Sequence, residues 1–165
     1  MCLKYLHSLT PRNMLATLTF ICAVILGTAF VMENFFDVHP CQMCLYERDV
    51  FLSAGGIALL SYFVVPPRFQ AYIVFLIGVI FLFGVGLASY HVAIQQHWVE
   101  LPSFCASNDF SAFDSIEALK EQLLKTPFVR CDQVSWSLFG LSLAAYNALI
   151  SLILALFCGV WFWKR

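Results

Sequence analysis

Long apolar runs separated by short polar breaks dominate the chain. Residues 14–32, 71–90 and 142–162 hold no charged side chain. Residues 45–65 are as apolar except in the first turn, where Glu47, Arg48 and Asp49 follow one another. Each run is near the roughly 20 residues a helix needs to cross a bilayer. Each also carries Gly, Ser or other small residues that let helices approach closely. The pattern predicts an all-α membrane protein, an antiparallel four-transmembrane-helix bundle that forms one domain over residues 1–165. The first run is longer than the apolar core of a signal peptide and lacks a clear A-x-A site, so it reads as a retained span.

Between the runs lie a Val65–Gln70 turn with Pro66 and Pro67, a short loop (33–44) and a long loop (91–141). Composition agrees with a membrane protein. The 165 residues are 61% hydrophobic and 12% charged, with mean hydropathy +0.83, where a soluble domain carries about 25% charged residues. The net charge of −1 points to no partner, and no basic patch suggests nucleic acid. Lys4, Arg12, Arg68, Lys164 and Arg165 fall on one side of the expected bundle, and all ten acids fall on or near the other. The positive-inside rule then places both termini and the Val65–Gln70 turn in the cytoplasm and both loops on the opposite side of the membrane.

Seven cysteines are spread through this frame. Cys22 and Cys158 lie inside apolar runs and Cys2 at the cytoplasmic end, so these three read as incidental thiols. Cys41 and Cys44 lie in the short outer loop, Cys105 and Cys131 in the long one. All four therefore face an oxidising compartment, where disulfides persist. Cys41-x-x-Cys44 follows Pro40 and opens the second run, so the pair meets the positive end of a helix, which stabilises a thiolate.

Arg48 is one turn beyond Cys44 on the same face. A structural disulfide with incidental charges competes with a redox pair. Glu47 and Asp49 suit the structural reading, since acids are favoured in a first helical turn, whereas a cation there opposes the dipole. An ionisable residue at the membrane edge is a functional candidate. A c-type haem site needs a histidine after the second cysteine, and Leu45 stands there. Four thiolates, or three with His39, would suffice for zinc, but nothing in the long loop resembles a metal knuckle, and no metal is assigned. His39 and His97 read as interfacial.

Within the long loop, "DSIEALKEQLLK" starts like a capping box at Asp114 and Glu117. Ile116, Leu119, Leu123 and Leu124 make one apolar stripe, so a short helix is expected on the bundle or in the membrane interface. Trp161 and Trp163 beside Lys164 and Arg165 read as a cytoplasmic interface anchor.

The motif "PCQMCLYER", the histidine of "GLASYHVAIQ", the "FC" at Cys105, the "RCD" at Cys131 and the tail "WSLFGLSLAAYNAL" together resemble the bacterial disulfide bond formation protein B family across essentially the whole chain. The resemblance implies a quinone-dependent protein thiol oxidase that regenerates a periplasmic thioredoxin-like (DsbA-like) partner. It implies disulfides Cys105–Cys131 and Cys41–Cys44. Cys105 would carry the mixed disulfide with the partner, Cys131 would attack Cys41, and Cys44 would be released beside a quinone, ubiquinone or menaquinone. Arg48, and His91 with it, would contact that cofactor. Membrane lipid and quinone complete the expected partners. A vitamin K epoxide reductase-like thiol oxidoreductase and a membrane metal carrier using the outer thiols are the alternatives.

Overall fold

The computed structural model describes residues 10–102, 105, 129–134 and 136–164, and the chain is mostly helical. The first helix, α1, spans Pro11–Phe35. The Thr10 hydroxyl caps it by accepting the Asn13 N–H at 3.3 Å, and Pro11 takes the first position, where no N–H is needed. It ends where Asp37 turns left-handed (φ 55°) and the Val38 N–H returns to the Met32 carbonyl at 3.2 Å.

Helix α2 spans Gln42–Val64 and α3 spans Pro67–Gln95. Only Val65 and Pro66 separate them, a tighter turn than the expected Val65–Gln70, because Pro67 starts α3. Helix α4 spans Leu143–Trp163 and is capped by the Ser142 hydroxyl, which accepts from the Ala145 N–H.

A small hairpin precedes α4 and departs from the all-helical expectation. β1 (Ser137–Leu138) pairs antiparallel with β2 (Leu141–Ser142). Phe139 (φ 50°) and Gly140 (φ 78°) make the turn, both left-handed as a two-residue hairpin loop demands. The Tyr146 hydroxyl donates to the Leu138 carbonyl at 3.0 Å and ties the hairpin to α4.

Helices α3 and α4 pack most extensively, followed by α1 with α2 and α2 with α3. Gly84 shows why small residues are needed: a Cβ there would lie 2.9 Å from Val50 and 3.3 Å from the Ser151 hydroxyl, so α2, α3 and α4 meet at that point. Met14, Leu18, Phe51, Ile77, Phe81 and Leu154 belong to the main core. The outward faces stay apolar, with Phe20, Leu60 and Phe83 each about two-thirds exposed, a surface suited to lipid.

Among the described residues, α1, α3 and α4 are long and apolar enough to cross a membrane. Helix α2 is not one of them, because Glu47, Arg48 and Asp49 occupy its second turn. Its uncharged remainder, residues 50–64, is only roughly 22 Å long. Helix α3 runs past the expected boundary at Tyr90, since nothing between His91 and Gln95 breaks a helix. It stops where His97 turns left-handed (φ 57°) and the Trp98 N–H bonds the Ala93 carbonyl. His91 is therefore a helical residue and not the first residue of the long loop. Trp161 is 4% exposed and Trp163 89%, so Trp163 alone faces outward and Trp161 fills the core. The segment 114–125 and the residues Cys2, Lys4 and Arg165 lie outside the described residues.

Candidate active site

The start of α2 is built from sulfur. Cys41 is its N-cap, in extended backbone (φ −78°, ψ 173°), and its Sγ accepts the Cys44 N–H at 3.4 Å. One turn on, the Cys44 Sγ lies 3.2 Å from the Cys41 Sγ. Both are free thiols, so the pair stands reduced, in place of the disulfide implied for it. The cap, the second thiol and the helix N-terminus all favour charge on Cys41.

Helix α3 supplies a third group. His91 Nε2 lies 3.6 Å from the Cys41 Sγ, and His91 Nδ1 lies 2.7 Å from Glu47 Oε1. Glu47 also accepts from the Asn147 side-chain amide of α4 in a very short hydrogen bond. Cys41, His91 and Glu47 are 5%, 1% and 2% exposed. With its Nδ1–H given to Glu47, the imidazole turns Nε2 toward the sulfur. As free base it accepts the thiol proton, and as imidazolium it donates to the thiolate. The hydrogen bond with the Cys44 thiol, helped by His91, holds the Cys41 thiol well below the ordinary range, against the opposing effect of burial.

Cys44 faces the other way, into a cavity of about 250 Å³ between α1, α2 and α4. Its walls are largely apolar, with Val24, Ile25, Met32, Phe51 and Ile150 among them. Thr28, His39, Cys44, Arg48, Tyr146 and Asn147 supply its polar groups. Arg48 Nη1 bonds Glu33 Oε2 at 2.5 Å and Nη2 reaches the Ala29 carbonyl at 3.5 Å. Its guanidinium also lies 5.8 Å from the Phe30 ring centroid. The cavity thus pairs largely apolar walls with a few polar groups beside the Cys44 thiol.

Cys105 and Cys131 form a disulfide, as the resemblance implied. It lies in one buried cluster with Cys41, Met43 and Ile94, against which Cys44, Leu101 and Val129 pack. Arg130 Nε and Nη2 hold the Asp132 carboxylate at 3.0 and 2.7 Å across Cys131. The Arg130 guanidinium draws the half-buried Asp132 carboxyl below its usual range.

The structure thus brings Cys41, Cys44 and His91 together, sets Arg48 on the Cys44 cavity, and buries the second cysteine pair beside the first. His39 lines the cavity mouth and bonds the Asp37 carbonyl through Nδ1 at 3.1 Å, while His97 is exposed. Glu47 is offered by the sequence only as an acid favoured in a first helical turn. It is a buried partner of two other helices instead. The rule that singled out Arg48, an ionisable residue inside an apolar run, applied equally to Glu47. Asn147 and Glu33 carried no comparable signal.

A family model described as "Disulfide bond formation protein DsbB" matches residues 11–161. "Disulfide bond formation protein B" of Marinobacter nauticus is 31% identical over 157 residues, covering 90% of each chain. The protein of the same name from Acinetobacter baumannii is 28% identical, covering 82% of each. An uncharacterised protein of Rickettsia prowazekii is 27% identical over 83% of this chain and 79% of its own. No solved structure matches.

Proposed function

The chain belongs to the disulfide bond formation protein DsbB family, and from that premise we propose that it oxidises a periplasmic thioredoxin-like dithiol and passes the electrons to a membrane quinone. Family membership makes it a membrane oxidoreductase of disulfide bond formation. The observation that carries the finer reading is the two-sided placement of one cysteine pair. Cys44 faces an apolar cavity with Arg48, while Cys41 is buried against the Cys105–Cys131 disulfide.

The residues divide the work as follows. A partner thiolate attacks the Cys105–Cys131 disulfide at Cys105 and displaces Cys131 as a thiolate. The second partner thiol resolves the mixed disulfide, so the partner leaves oxidised and two electrons stay on this chain. Cys131 attacks Cys41 of an oxidised Cys41–Cys44 pair and displaces Cys44, and Cys105 closes the outer disulfide again. Each exchange needs a thiolate and a reachable disulfide, and the shared cluster keeps the two pairs close. His91, held by Glu47, takes up or returns the proton at Cys41. Arg48 and Asn147 orient a ligand in the cavity beside Cys44. A bound quinone supplies a two-electron acceptor that is soluble in lipid.

This reading includes a four-span topology with cytoplasmic termini. Arg12, Arg68 and Lys164 stand at one end of the helices, and Glu33, Asp37 and the four thiols at the other. Within α2, Glu47 is enclosed by His91 and Asn147, so its charge does not meet lipid. The test is quinone reduction by the purified chain, with a reduced thioredoxin-like partner as donor. One quinone is expected to disappear for each partner disulfide formed. Partner oxidation that continues at full rate with no quinone present would overturn the reading.

A further inference from the structure

Three ligand atoms converge behind the cavity. Cys41 Sγ, Cys44 Sγ and His91 Nε2 all lie within 4.8 Å of one another. Tetrahedral zinc, with Zn–S of about 2.3 Å and Zn–N of about 2.0 Å, sets a sulfur and a nitrogen about 3.5 Å apart and two sulfurs about 3.8 Å apart. The Cys41–His91 separation is 3.6 Å. The sulfurs, at 3.2 Å, must open by about half an ångström to reach the tetrahedral spacing, and Cys44 Sγ and His91 Nε2, which lie within 4.8 Å, must settle at about 3.5 Å.

A second observation points the same way. Metal-binding histidines almost always give their other ring N–H to a carboxylate, a backbone carbonyl or water, which fixes the tautomer. His91 does this with Glu47 at 2.7 Å, so the free nitrogen faces the sulfurs. The carboxylate is itself fixed by Asn147. We propose that the reduced Cys41–Cys44 pair and His91 form a binding site for one thiophilic divalent cation, zinc or cadmium, with Glu47 as the outer partner of the histidine.

The site exists only in one redox state. Two thiolates and an imidazole bind the cation, the thiol protons leave to solvent, and no electrons move. When Cys41 and Cys44 are joined as a disulfide, two of the three ligands are gone. Cys44 borders the cavity, and three protein ligands leave a fourth position for water or an added ligand. A bound cation therefore occupies both thiolates and holds the pair reduced until it is chelated. This site does not rest on quinone chemistry, and it stands or falls separately from the function proposed above.

The test is a zinc titration of the full chain in detergent, competed against a chromophoric chelator, in reduced and oxidised states. Cadmium substitution reports the number of bound thiolates by its sulfur charge-transfer absorbance. A Cys105→Ser/Cys131→Ser chain leaves one outer pair to bind. We expect one cation per reduced chain, two thiolates per cadmium, and none bound to the oxidised chain. Glu47→Gln should weaken binding by about 10- to 100-fold with the two-thiolate absorbance retained, and His91→Ala should weaken it at least as much. Equal binding by the oxidised chain, or wild-type affinity in both His91→Ala and Glu47→Gln, overturns the site. The comparison of redox states is read in the Cys105→Ser/Cys131→Ser chain, which keeps every proposed ligand, so a poorly folded His91 or Glu47 variant does not rescue the site.

Discussion

Glu47 of α2 and His91 of α3 meet inside the bundle, Oε1 to Nδ1 at 2.7 Å, with 2% and 1% of their side chains exposed. A buried carboxylate that satisfies two helices has an asymmetric energetic role. Making the contacts gains little over water, but removing the acceptor strands both donors. Glu47→Leu leaves His91 Nδ1 and Asn147 Nδ2 without their acceptor. The expected loss is about 1–3 kcal/mol for each stranded group. Glu47→Gln keeps a side-chain oxygen and should lose less. Thermal unfolding of the detergent-solubilised chain checks this, and a Glu47→Leu chain as stable as wild type would show that the network adds nothing.

The reduced pair has a pH signature. The Cys41 thiol is held below the ordinary range, first by the Cys44 thiol and then by His91. A group with a lowered pKa keeps its charged form above that pKa and loses it only as pH falls through it. An ordinary thiol protonates near about 8.5. The reduced chain, kept free of metal by a chelator, should therefore retain thiolate absorbance for one cysteine at neutral pH. His91→Phe removes one of the contacts that lower Cys41 and should move the loss to higher pH. A single transition at the ordinary thiol value in the wild-type chain would contradict the assignment.

Three of the four helices were legible because an uncharged apolar run is a local signal, and so was the start of α2, where Pro40 and the cysteines mark the boundary. The thiols were legible because all four fall on one side of the charge pattern. Asn147 was not, since the Glu47–Asn147 contact joins residues 100 positions apart. Nor was the Glu33–Arg48 pair, which only the packing of α1 against α2 brings together. His91 is legible from its motif, but its place one turn before the end of α3 is not, because the helix outlasts its apolar run. The Trp161 error has the same root. A tryptophan near a membrane end is an anchor only if its face points outward, and at 4% exposure Trp161 points inward.

The two cysteine pairs should separate cleanly in trapping experiments. Cys105→Ser removes the thiol expected to take the partner and should abolish the covalent complex, yet quinone should still bind beside Cys44. Cys44→Ser should allow the partner complex to form and block electron exit. Non-reducing gels of the partner complex, paired with quinone retention in the purified protein, read the two effects. Identical behaviour of the two variants would speak against the division.

Arg48 borders the Cys44 cavity but already shares its charge with Glu33 at 2.5 Å. Nη1 is thus engaged by Glu33 and Nη2 more loosely by the Ala29 carbonyl at 3.5 Å, so groups of the neighbouring helix fix the direction of the guanidinium. Charge-assisted hydrogen bonds contribute about 1.5–3 kcal/mol, which is roughly ten- to a hundredfold in affinity or rate. Arg48→Ala should raise the apparent KM for quinone and slow its reduction by that order, while Cys105 still reacts with the partner. Arg48→Lys should restore only part, because a point charge cannot bond Glu33 and a ring oxygen through one planar group. Glu33→Gln keeps the guanidinium but frees its direction, so it should raise KM less than Arg48→Ala. Steady-state quinone kinetics on variants shown to insert properly decide the matter. Unchanged KM and rate in Arg48→Ala would remove Arg48 from the site, and a Glu33→Gln effect larger than that of Arg48→Ala would assign the loss to packing between α1 and α2.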